Sequence, residues 1–178
     1  MLDILTYVAI ALAVVAVVLL AYAATKPDTF RVQRTRGIDA PAERIFPLIA
    51  NLKSMNTWNP FVEPDPAIKL TYSGPAHSKG AAHAWEGNNR VGKGRVEITD
   101  SVPSSRIVMK LDMIKPIEGH NRVEFTLEPK DGATTVTWAM SGQSAFITKL
   151  MGVFVSMDKM VGRAFENGLA DLKSLAER

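Results

Sequence analysis

The sequence predicts an α+β protein: a curved antiparallel β-sheet wrapped around a long C-terminal α-helix, preceded by a single N-terminal transmembrane helix. Three observations predict it. Residues 4–25 carry no charge. Five later segments alternate apolar and polar residues with a period of two, each pair separated by turn-forming residues. Residues 144–176 then repeat apolar side chains at helical spacing.

Of the 21 residues from 4 to 24, 20 are apolar, Thr6 being the exception. A helix rises 1.5 Å per residue, so about 20 residues cross a hydrocarbon core about 30 Å thick. Only a helix satisfies its own backbone hydrogen bonds there without partners. Tyr7 and Tyr22 stand near its ends, where amphipathic rings favour the lipid interface. A buried core helix would show a 3.6-residue alternation, and this run is apolar on every face. A cleaved signal peptide is the rival, since Ala21-Tyr22-Ala23 offers the small-x-small pattern of a cleavage site. Against it, Met1-Leu2-Asp3 lacks Lys or Arg, and the run exceeds the usual apolar stretch of about 7–15 residues.

The expected organisation is therefore an anchor over residues 1–25, a linker over 26–29 and one further domain over 30–178. Lys26, Arg31, Arg34 and Arg36, offset by Asp28, follow the span, and no Lys or Arg precedes it. The positive-inside rule places the domain in the cytoplasm. The alternative is a domain outside it, anchored or released after Ala23.

Outside the span the apolar share falls to about 41%, near that of an ordinary soluble domain. This excludes a disordered chain, a multi-span transporter and a collagen-like fibre. The chain has no cysteine, which excludes disulfides, thiolate nucleophiles and zinc–thiolate sites. A net charge of +3 is too mild for a nucleic-acid surface, so no nucleic-acid partner is expected.

The elements follow in order. Residues 30–38 read as a strand with alternate charged or polar residues. Asp39 is the expected N-cap of a helix that opens at Ala40-Pro41-Ala42-Glu43, with Ile45, Phe46, Leu48, Ile49 and Leu52 on its apolar face. Asn59-Pro60, Pro64, Pro66 and Gly74-Pro75 punctuate the next connection. Strands are expected at residues 81–86, 91–100, 106–113, 122–128 and 134–141, forming a meander. Ile107, Met109, Leu111 and Met113 share one face, as do Val123, Phe125 and Leu127, and Val136, Trp138 and Met140. The helix of residues 144–176 covers that face. Its Gly152, Gly162 and Gly168 permit close approach to a strand or a ligand.

Acid–base candidates are few. His83 and Glu86 have opposite parity, so either His83 faces inward with Trp85, or Glu86 does with Ala82 and Ala84. Asp112 and His120 fall on the outward parity unless a bulge near Gly119 reverses His120. Asp158 lies in the Met-rich helix segment. No nucleophile triad, phosphate loop or HExxH motif is present. His77, His83 and His120 lack metal-ligand spacing, so no metal and no cofactor are expected.

Several stretches resemble the START-like SRPBCC (helix-grip) superfamily, in its polyketide cyclase/dehydrase-type branch. They include Ile38-Asp39-Ala40-Pro41-Ala42-Glu43-Arg44-Ile45-Phe46, Trp58-Asn59-Pro60, Trp85-Glu86-Gly87-Asn88, Gly92-Lys93-Gly94-Arg95 and Thr137-Trp138-Ala139-Met140-Ser141-Gly142. The likeness covers residues 30–176, and an N-terminal membrane helix is common in that branch. The resemblance implies a cavity between the sheet and the C-terminal helix that holds lipids or other apolar ligands. Its expected lining is Trp85, Met109, Leu111, Met113, Phe125, Trp138 and Met140 from strands, with Phe154, Met157 and Val161 from the helix. The expected function is a membrane-tethered binding domain, its partners an apolar small molecule or lipid and, through residues 4–24, the membrane. The alternatives are a polyketide cyclase/aromatase-like enzyme using Glu86 or His120, and a protein-partner-binding module.

Overall fold

The computed structural model describes residues 2–62, 65–154 and 156–178, apart from the side chains of Leu2, Phe154 and Met157. The apolar N-terminal run forms one helix, α1 (Leu2–Ala24). From Asp3 to Ala24 it is long and apolar enough to cross a membrane, with a mean hydropathy of 2.9.

Seven strands build a single sheet. They are β1 (Thr29–Ile38), β2 (Lys69–Ser73), β3 (Ala82–Glu86), β4 (Lys93–Val102), β5 (Arg106–Lys115), β6 (Gly119–Lys130) and β7 (Ala133–Gln143). Their order is β1-β7-β6-β5-β4-β3-β2, and every neighbouring pair is antiparallel. Side chains alternate across a pleated strand, so the register assigns each to a face. Val32 pairs with Met140, Met140 with Val123, Val123 with Met109 and Met109 with Ile98, one apolar row across five strands. Two register shifts, at Lys93/Gly94 and Ile98/Asp100, leave Ile114 and Thr99 without a partner across the β4–β5 pair. Such bulges bend a strand and raise its twist, which helps curl the sheet around its apolar face.

Helices cover part of that face. Between β1 and β2 lie α2 (Ala42–Ala50) and α3 (Leu52–Met55); after β7 come α4 (Phe146–Phe154) and α5 (Met157–Ala176). α5 packs on β1 and β7, and α2 packs on β6 and α5. The core is aromatic where these elements meet. Trp138 stacks on Phe165 with ring centroids 4.1 Å apart, and Trp58 meets the Trp138 ring edge-on at 5.7 Å. α4 takes no part in this core; it packs on α1, and Ala23 near the end of α1 is buried.

Two arginines of β1, Arg34 and Arg36, share the face of Val32 and Ile38, and Arg34 is the one that α5 covers. Arg34 lies beneath α5, where a Cβ on Gly162 would come within 2.0 Å of its guanidinium. Its partners are Asp158 at 3.0 Å and Glu166 at 2.6 Å. Arg34 holds the Asp158 carboxyl below the usual carboxylate range, and the two acids raise Arg34 in turn. Asp158, weighed from sequence as a candidate within the Met-rich segment, is therefore an exposed structural partner of β1.

Three expectations change. Asp39 does not cap α2; the N-cap is Pro41, in extended conformation with no side-chain cap bond. The Asp39 N–H instead donates to the Glu177 carboxylate at 2.6 Å, and its own carboxylate takes Lys173 at 3.3 Å, tying the end of β1 to the end of α5. The segment 144–176 is not one helix. It breaks after α4, and α5 starts anew with Ser156 as N-cap, its Oγ accepting the Lys159 N–H. β2 is an additional strand that pairs only with β3 at the sheet edge.

Phe165 is fully buried in the aromatic cluster, so Phe165→Ala is expected to lower unfolding stability by about 3–5 kcal/mol. Urea denaturation checks this. A loss below about 1 kcal/mol would show that the cluster is not the core's anchor.

Candidate functional site

The inner face divides into two regions. At the end away from α1 it is filled. Ile98, Ile107, Phe125, Leu127 and Val136 are buried, capped by Ile45, Ile49, Leu52 and Met55 from α2 and α3. At the end where β1 starts and β7 stops, the inner side chains are half-buried: Phe30, Trp85, Leu111, Met113 and Met140, beside Gly142 and the Asn121 amide. The Trp85 indole lies flat across β4 because residue 94 is glycine; a Cβ there would meet the ring at 2.4 Å and the Asp112 carbonyl at 2.6 Å. The indole N–H donates to the Val91 carbonyl at 3.2 Å, which fixes the ring's pose.

The expected lining residues therefore separate. Trp85, Leu111, Met113 and Met140 are half-buried on the inner face at this end, spread over β3, β5 and β7. Met109, Phe125, Trp138 and Val161 are buried in the packed core and fill space there. The side chains of Phe154 and Met157 lie outside the described residues.

The polar candidates separate too. Glu86 is exposed and pairs with Lys93 at 3.1 Å, which holds its carboxyl below the usual range. His120 lies on the outer face, its Nδ1 2.6 Å from the Asp112 carboxylate. Burial works against the charge on Asp112, but hydrogen bonds from His120 and Lys110 outweigh it and keep its carboxyl below the usual range. Neither Glu86 nor His120 faces the inner side, so a cyclase built on those two residues has no support in this geometry. Register explains why: His83, not Glu86, shares a row with inward Val96.

His83 is the inner-face group that sequence parity left open. It is 2% exposed, lies between the Tyr72 and Trp85 rings at 5.7 and 5.8 Å, and neither ring nitrogen has a hydrogen-bond partner. Burial pushes its pKa down to about 4, so the imidazole is neutral at physiological pH. The Tyr72 hydroxyl accepts from the Asn56 amide at 3.0 Å, which links this edge to α3. Among the described residues, no group of three His, Asp or Glu side chains is arranged to hold a metal ion.

With this geometry in hand, comparison with known proteins is decisive on one point. The family model for polyketide cyclase / dehydrase and lipid transport matches residues 29–177. The chain belongs to that family. Among curated proteins no sequence matches. Several solved structures share the fold. A protein from Nitrosospira multiformis has a TM-score of 0.59 at 22% identity, covering 82% of this chain and 94% of its own. One from Rhizobium loti has a TM-score of 0.60 at 18% identity, covering 83% and 96%. One from Chromobacterium violaceum has a TM-score of 0.59 at 16% identity, covering 86% and 99%. At such identities the likeness shows the shared fold, and a family fold carries many functions.

The His83 environment sets a pH dependence. The unfolded chain protonates this residue near its ordinary value of 6.5, and the folded chain only near 4. Between those values the unfolded state binds more protons, so stability falls as pH drops from 6.5 to 4. His83→Leu is expected to remove that component and to be at least as stable at pH 7, because it deletes an unpaired buried polar group. Paired denaturation curves at pH 7 and pH 5 test this. An unchanged pH dependence in the variant would refute it.

Proposed function

We propose that this protein is a membrane-tethered binding domain for a hydrophobic small molecule or lipid, held on the open region of the sheet's inner face. The observation that carries this reading is the half-buried apolar group of Trp85, Leu111, Met113 and Met140 at the end of the sheet from which α1 departs. Leu and Met side chains supply adaptable apolar contact, and Trp85 a rigid flat surface. His83 lies buried behind Trp85 with both ring nitrogens unpaired. The family description, which joins cyclases with lipid transport, supports the same ligand class. A tether at this end raises the effective concentration of any bilayer-soluble ligand without a new contact.

A cyclase-like enzyme is the second reading, and His83 is the observation that favours it, as the titratable side chain on the inner face whose two ring nitrogens are unpaired. It requires turnover that His83→Leu abolishes and that Glu86→Gln and His120→Gln leave intact.

The binding reading is tested on residues 28–178, which contain the whole span that the family model matches. Native mass spectrometry and solvent extracts are expected to show a co-purified apolar molecule, and an apolar fluorescent probe to change Trp emission. Leu111→Asp places a charge on the open region and is expected to weaken probe binding at least about tenfold, equivalent to about 1.4 kcal/mol. Protein that is empty and binds no probe, or a folded Leu111→Asp with undiminished binding, overturns the proposal.

A further inference from the structure

The end of the domain nearest α1 carries an unusual surface. Outside α1, eight large apolar side chains are exposed among the described residues, and five lie at this end. Phe146, Ile147 and Met151 are on α4, which packs on α1. Ile114 and Ile117 are on the β5–β6 hairpin, which the register puts level with the start of β4.

The outer face at the same end carries two arginines. Arg31, Ser141 and Arg122 stand in one row across β1, β7 and β6, and His120 lies in the next row with Gln143 and Thr29. These six residues border an open recess of about 500 Å³. Arg122 reaches Glu124 at 3.3 Å and His120 pairs with Asp112, whereas Arg31 bonds only the neutral Gln33 side chain and pairs with no carboxylate among the described residues.

The chain holds this surface close to the end of α1. Four residues, 25–28, join α1 to β1, and fully extended they reach at most about 14 Å. They are also braced: the Ser144 N–H donates to the Asp28 carbonyl at 2.7 Å, and Lys149 of α4 pairs with the Asp28 carboxylate. If α1 crosses a bilayer, α4 and the recess lie within reach of its surface.

We propose that this end of the domain docks on an anionic bilayer. α4 and the β5–β6 hairpin insert their apolar side chains at the interface, and the recess between Arg31 and Arg122 seats a lipid phosphate. The chemistry is complementary on both counts. Interfacial helices bury one apolar face at the headgroup boundary, and basic residues are attracted to an anionic leaflet. A planar guanidinium forks onto phosphate oxygens. The consequence is a fixed pose in which the open region of the inner face points at the lipid. This inference rests on the tethered reading above.

The test uses the full chain in vesicles and the absence of native cysteine. Single substitutions Val14→Cys, Ile147→Cys, Ile117→Cys and Lys130→Cys each carry an environment-sensitive fluorophore, and spin-labelled lipids serve as quenchers. In phosphatidylglycerol vesicles, labels at 14, 147 and 117 are expected to be quenched, and the label at 130, on the opposite end of the sheet, to stay bright. Arg31→Gln with Arg122→Gln is expected to reduce quenching at 147 and 117 and leave 14 unchanged. Quenching at 14 alone overturns docking and leaves the tether standing. No quenching at 14 overturns the tether and the docking with it. Equal quenching at 147 and 117 in zwitterionic phosphatidylcholine vesicles overturns docking on an anionic bilayer, and undiminished quenching there in the Arg31→Gln, Arg122→Gln variant overturns the phosphate seat. A blue-shifted label at 147 that lipid quenchers do not reach, in a chain that crosslinks to itself, assigns α4 to a second copy instead and also overturns the proposal.

Discussion

A width mismatch governs this structure. Seven strands spaced about 4.8 Å apart make a sheet roughly 30 Å wide, whereas one helix with its side chains is only about 10 Å across. α5 alone cannot cover the apolar face, even after the bulges in the β4–β5 pair curl it. The chain spends its large aromatic side chains on one region, where Phe125, Trp138 and Phe165 pack together and Trp58 reaches in from the α2–α3 segment. What this plug does not reach stays half-buried. The open region around Trp85 and Met140 is thus a geometric remainder of the fold, and a remainder lined with apolar atoms suits a ligand.

The same mismatch accounts for Arg34. β1 is an edge strand, and α5 runs along it closely enough that its glycine at 162 sits over a guanidinium rather than over an aliphatic chain. An inner-facing Arg would be costly if fully enclosed, but here both acids that meet it remain solvent-exposed, so the desolvation cost is small. Such partly exposed pairs add little stability. Their value lies in direction: two carboxylates eight residues apart on one helix fix where α5 lies along β1, and the Asp39–Lys173 and Asp39–Glu177 contacts fix its other end.

Much of this was legible from alternation alone. Parity assigned Met109, Phe125 and Trp138 to the inner face and His120 to the outer one, and the register agrees. Parity within β3 could not choose between His83 and Glu86, because that choice needs the pairing partner; once His83 lies opposite Val96 it is settled. β2 is not legible because its five residues at the sheet edge bury little, and Leu70 and Tyr72 give too short an alternation to stand out. The break before α5 escaped for a different reason. α4 is apolar nearly throughout, so its spacing merges with that of α5, and a periodic pattern carries no information about which partner a helix packs on. Burial depth was equally invisible: Met109 and Met113 share parity on one strand, yet one is sealed beneath the helices and the other borders the open region.

A helix's packing partner and a side chain's burial depth are invisible in a sequence pattern for the same reason, and it bears on function. A sequence pattern records that a side chain avoids water but not what replaces the water. For Met109 the replacement is the aromatic core; for Met113 and for Ile147 on α4, the chain itself provides no full cover. Both incompletely covered surfaces occur at the end where α1 leaves the sheet, and the braced four-residue linker prevents them from moving far from it. A domain that had to bind a water-borne apolar ligand would gain nothing from exposing α4, since a free apolar helix invites aggregation. Exposure at this one end becomes favourable only if a second apolar phase lies there. On that reading the anchor, the unpacked helix and the open face respond to one constraint, contact with lipid at one end of the molecule.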